Sequence, residues 1–164
     1  MEKVRYCTPE WLEENMKRYS ADPKFQESLK TFTHKLVFRV KADSSWGIVN
    51  DILFCAFLEQ GKMTRLGFLT EAEALKEASF VLSATPQEWK KILRKESKFA
   101  TDFMLGKITL EYGDKAKVFA IAPHADKLVK AITQVEILFP DEMTPAELAA
   151  YVSHIEQFRA KLGV

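Results

Sequence analysis

The side chains able to do chemistry are few and far apart along this chain. Histidines stand at His34, His124 and His154, and His124 and Asp126 are only two residues apart. A zinc site takes three or four ligands at short, regular spacing. No second histidine or cysteine follows at such a spacing, so neither a metal centre nor acid–base catalysis is expected. Cys55 would act as a nucleophile only beside a histidine, and the sequence places none there. Gly106 and Gly113 lack the further glycines of a dinucleotide or phosphate loop. Lys107 could pair with an acidic head group at a pocket mouth, or simply edge a strand. Lys90, Lys91, Lys95, Lys98 and Lys107 could meet an anionic lipid surface. Glu88, Glu96 and Asp102 are interspersed among them, which is the pattern of a solvated face. No catalytic residue, metal or cofactor is expected.

What the chain has in quantity is apolar surface. The stretch Ser97 to Asp114, SKFATDFMLGKITLEYGD, sets Phe99, Ala100, Phe103 and Met104 at helical spacing. Gly106 then closes the helix, because glycine takes the left-handed conformation at little cost. Ile108, Leu110 and Tyr112 follow at a spacing of two, the period of a half-buried strand. Gly113-Asp114 makes a turn, with Asp114 placed to cap the next helix.

The elements around this unit can be taken in order. Thr8-Pro9 and Asp22-Pro23 start two short helices. Leu36, Phe38 and Val40 alternate with Lys35, Arg39 and Lys41, which predicts a first strand. Ile48 to Glu59 predicts a second, apolar on both faces as in a covered strand, and Gln60-Gly61-Lys62 turns into a third, Met63 to Phe68. One or two helical turns over Thr70 to Glu77 precede a fourth strand, Ala78 to Ala84. Thr85-Pro86 opens a helix with Trp89, Ile92 and Leu93 on its buried stripe, and Lys107 to Tyr112 is the fifth strand. From Asp114 to Phe139 an amphipathic stretch must break or bend at Pro123. Thr144 to Glu147 is a capping box opening a last helix, with Tyr151, Ile155 and Phe158 on its stripe.

The 164 residues suit one domain with a sizeable core. With 24 basic and 23 acidic residues the net charge is +1, so nothing marks a nucleic-acid partner. Cys7 and Cys55 read as reduced thiols. No signal-peptide core and no apolar run of membrane-spanning length is present, so a cytoplasmic protein is expected.

The runs ASFVLSATPQEWKKIL and FATDFMLGKITLEYGD resemble the signature half of sterol carrier protein type 2 domains. That resemblance implies an α/β (α+β) fold: a five-stranded mixed sheet covered mainly on one face by helices, with an apolar tunnel between the layers. It implies binding of a sterol, fatty acid, fatty acyl-CoA or phospholipid without turnover. The tunnel would be lined by Trp89, Ile92, Phe99, Phe103, Met104, Ile108 and Leu110, with Phe54 and Ala56 from the second strand. Pro123 and the tail 141–164 depart from the family pattern. The tail would be an additional helix on a single domain, 1–164, covering the tunnel mouth or making a homodimer contact. The expected function is non-enzymatic carriage of a hydrophobic small molecule or lipid, with transient membrane contact. A protein interaction module with a filled core is the rival, and an enzyme acting on a lipid thioester is a third reading.

Overall fold

The computed structural model describes residues 2–164. Its centre is a five-stranded mixed sheet. The strands are β2 (His34–Val40), β3 (Ile52–Glu59), β4 (Lys62–Phe68), β5 (Phe80–Ala84) and β6 (Thr109–Tyr112), in spatial order β4-β3-β2-β5-β6. β2 is the middle strand, antiparallel to β3 and parallel to β5. The register sets Phe38 opposite Phe54 on one side and Leu82 on the other. Because side chains alternate across a strand, Leu36, Phe38, Val40, Phe54, Ala56 and Leu82 share one face.

Most helices cover that face: α1 (Pro9–Ala21), α2 (Pro23–Ser28), α4 (Pro86–Leu93), α5 (Phe99–Met104), α6 (Lys115–Ile121) and α7 (Ala125–Ala131). Their apolar stripes and the inner sheet face form one large core. Behind the sheet, α3 (Glu71–Glu77) covers a smaller cluster of Val37, Leu53, Cys55, Phe57 and Val81. The starts read from sequence hold, with Thr8, Asp22, Thr85 and Thr144 each accepting a backbone N–H. Gly106 follows α5 with φ 77. Pro123 sits in a single 3₁₀ turn, Ala122–His124, that separates α6 from α7.

Two local expectations are corrected, and one pairing is new. The second strand starts at Ile52, not Ile48. Asp43 accepts hydrogen bonds from the Ser45 N–H and hydroxyl and winds a 3₁₀ turn, leaving Ile48 bridged back to Asp43. The N-terminus also pairs: β1 (Val4–Arg5) runs parallel to β7 (Ile137–Leu138), and Tyr6 and Cys7 behind it are fully buried. The tail helix, α8 (Pro145–Leu162), does not lie over the expected tunnel mouth. It packs beside the 44–51 loop, where Arg159 donates to the carbonyls of Asn50 and Asp51 and Phe158 meets Phe68. The close approach of Val152, whose Cγ2 would stand 2.7 Å from any Cβ at position 47, leaves room only for Gly47.

Candidate functional site

Between the sheet and its helical cover lies a cavity of about 60 Å³. Its floor is Leu36, Phe38, Phe54 and Leu82 from the sheet, and its walls are Trp89, Ile92 and Leu93 on α4 and Phe99 on α5. Ile121, Ala125, Leu128, Val129 and Ile132 close it from the α6–α7 side, and Tyr6 completes the lining. The rings are held edge to face or stacked: Phe38 against Trp89 at 5.6 Å and against Phe54 at 5.1 Å. Trp89 is fixed further by donating its indole N–H to the Arg39 carbonyl at 3.0 Å.

A site for a drug-sized molecule is about 300–1,000 Å³. A volume of about 60 Å³ has room for on the order of five water-sized probes. The structure therefore shows a small apolar cavity where a tunnel was expected. Any lipid would have to enlarge it.

Of the nine residues expected to line a tunnel, Phe54, Trp89, Ile92 and Phe99 border this cavity, and five do not. Ala56 is buried in the sheet opposite Leu36. Phe103 packs between Phe99 and Phe119. Ile108 is core, and Leu110 is half-buried opposite Leu82. Met104 faces solvent at 73% exposure, because α5 ends there and the chain turns away. Five lining residues come from the α6–α7 stretch, whose apolar stripe was legible although its facing a void was not.

The helices α4 and α5 are joined by buried acids. Glu88 and Asp102 were read as part of a solvated face, yet they are 9% and 2% exposed. Glu88 Oε1, Asp102 Oδ2 and the Ser97 hydroxyl find no partner in the heavy-atom hydrogen-bond network. Asp102 beside it, with burial, raises the Glu88 pKa. Burial pushes Asp102 upward too, but the polar groups of Glu88 and Ser97 beside it, with Lys107 and Lys91 nearby, bring it below its usual value. Like charges held together push their affinities for a proton apart, so Asp102 loses its proton more readily than Glu88 does.

The histidines are less scattered than their sequence positions. His34 and His124 flank the Phe32 ring at 4.8 and 5.5 Å, and burial, then Lys117 and His124, lower the His34 pKa. His154 lies 3.0 Å from Glu10 on the other side of the molecule. Burial pushes the free thiols of Cys7 and Cys55 up to about 12 and about 11, which leaves them poor nucleophiles. Among the described residues no cluster of three His, Cys, Asp or Glu is placed to hold a metal ion, and no helix is long and apolar enough to cross a membrane.

No protein-family model matches the sequence, and no curated protein matches it. Solved structures do. A conserved hypothetical protein from Thermus thermophilus, suggested to be a sterol carrier protein, superposes with a TM-score of 0.69 at 21% identity, over 84% of this chain and 94% of that one. A crystal structure of sterol carrier protein 2 gives 0.67 at 22% identity, over 78% and 97%. The apo form of sterol carrier protein 2 from Yarrowia lipolytica gives 0.53 at 17%, over 72% and 86%. The fold is that of sterol carrier protein 2.

Proposed function

We propose that this protein binds a hydrophobic ligand between its sheet and its helical cover and carries it without chemical change. The observation that carries the reading is the cavity itself: its lining is aliphatic and aromatic, with no charged residue, and it sits between the two layers of a sterol-carrier fold. Affinity would come from removing acyl or ring surface from water, at roughly 25 cal/mol per Å². The nucleophile–base pair that a lipid thioesterase needs has no candidate among the residues bordering the cavity. Fatty acids, acyl-CoA, phospholipids and sterol-like molecules remain the candidate ligand classes.

The small resting volume favours the rival reading, an interaction module with a filled core. Native mass spectrometry of protein isolated from its host separates the two. A lipid retained at near-stoichiometric level is expected; a bare chain that also fails to take up added fatty acid would overturn the carrier reading.

A further inference from the structure

The cavity has a neighbour of different chemistry. An open groove of about 370 Å³ runs along the outside of the cover, and Ile92, Phe99, Ala125 and Val129 line both the groove and the cavity. Those four residues are thus the partition, or neck, that separates an oily interior from a surface cleft. The cleft is basic. Lys95 and Lys98 enter it from the α4–α5 turn, and Lys127 and Lys130 from α7, against a single acid, Asp126. Lys127 donates to the Ser28 carbonyl at 3.1 Å. Lys95, Lys98 and Lys130 have no acidic partner within ion-pair distance among the described residues, whereas Lys90 on the same helix as Ile92 is held by Asp141 at 2.8 Å. Four ammonium groups around one cleft raise the local concentration of anions, and each offers three donors to a carboxylate or phosphate.

We propose that this groove is a head-group site, and that the ligand is a single-chain amphiphile whose anionic carboxylate or phosphate rests among Lys95, Lys98, Lys127 and Lys130 while its chain passes the neck into the cavity. The inference rests on the carrier reading and sharpens it. A sterol, with one neutral hydroxyl, gains nothing from the lysines. The chain enters tail first, and the charge never leaves water, so no ion is desolvated.

Tryptophan fluorescence titration of the full chain with hexadecanoate, hexadecyl phosphate and 1-hexadecanol tests this, since Trp89 borders the cavity. Both anions are expected to bind at least about ten-fold more tightly than the alcohol at low salt, given the modest contribution of each exposed charge pair. Added salt should shrink the advantage. The variant combining Lys95→Gln, Lys98→Gln, Lys127→Gln and Lys130→Gln should lose it while still binding the alcohol, and the matching four-fold Lys→Arg variant should keep it. Equal binding of acid and alcohol by the parent overturns the head-group site and leaves the carrier reading intact. Binding of none of the three overturns both. A Gln variant that keeps its preference for hexadecanoate but no longer sediments with phosphatidylserine vesicles assigns the lysines to a membrane surface, and also overturns the proposal.

Discussion

Filling the neck tests whether the void is there to be filled by a ligand. Ala125, the first residue of α7, lines both cavity and groove, and Ala125→Leu adds three carbons there. An internal void costs about 24 cal/mol for each Å³, so the cavity of about 60 Å³ costs the resting protein at most about 1.4 kcal/mol. Leucine is nearly as good a helix former as alanine, so the helix itself changes little. The expected gain is about 1 kcal/mol, or about 2–4 °C in Tm for a chain of this size. A hexadecanoate chain would then meet an overpacked neck, where about 1–3 kcal/mol of strain corresponds to a roughly 5- to 150-fold loss of affinity. Thermal denaturation of the ligand-free protein and fluorescence titration read the two effects. A variant that is no more stable and binds hexadecanoate as before would refute the assignment of this void as the binding cavity.

Three further outcomes concern Tyr6, Glu88 and His34. The Tyr6 hydroxyl is buried with no hydrogen-bond partner, so Tyr6→Phe should leave Tm unchanged or raise it; a loss above about 2 kcal/mol in urea unfolding would show a bond was broken. Glu88, its pKa raised by Asp102 beside it and by burial, adds stability that is lost as pH rises through its folded value. Glu88→Gln should therefore flatten the decline in Tm as pH rises above the ordinary carboxylate range, and an unchanged decline would contradict the raised value. The His34 pKa is lowered from 6.5 by burial, Lys117 and His124, so stability falls as pH drops below about 6.5. Urea unfolding of His34→Gln across pH 5 to 7 should show a shallower fall, and an unchanged slope would place the acid sensitivity elsewhere.

The strands were legible because one face of each had to be oily: Leu36, Phe38 and Val40 alternate with Lys35, Arg39 and Lys41, and period two admits few other structures. The helix starts were legible for a similar reason, since threonine or aspartate followed by proline fixes both the cap and the first turn. The cavity was only half legible. Residues bordering a void and residues filling a core are the same types, so Leu128, Val129 and Ile132 read as an ordinary buried stripe. The resemblance drew attention along α5 to Met104, but that helix is only six residues long. Its far end is already in solvent. Acids at Glu88 and Asp102 looked solvated because they are interspersed among lysines along the chain; only the approach of two helices buries them. The same approach gathers Lys95 and Lys98 with Lys127 and Lys130, which lie some thirty residues away and show no cluster in sequence.

A ligand larger than the resting void must move a wall, and the walls differ in what holds them. The floor is a ladder of backbone hydrogen bonds running from β4 to β6. The α4 wall is tied on every side: Trp89 to the Arg39 carbonyl, Lys90 to Asp141, Arg94 to Glu142, and Glu88 against Asp102. The α6–α7 wall is two seven-residue helices separated by the turn at Pro123, each too short to be stable without packing. Its far end is moored, with Trp11 donating to the Ile132 carbonyl and Gln134 bonded to Asn15. Its near end is held by the buried Val118 and Ile121, by half-buried apolar contacts and by the exposed bond from Lys127 to Ser28, with few hydrogen bonds to the rest of the molecule. Displacing that near end breaks few hydrogen bonds, and the apolar surface it uncovers is the surface an acyl chain would cover again. The wall with the fewest hydrogen bonds thus borders both the void and the basic groove, so one movement would widen the cavity and clear the neck, with Lys95 and Lys98 on the fixed side.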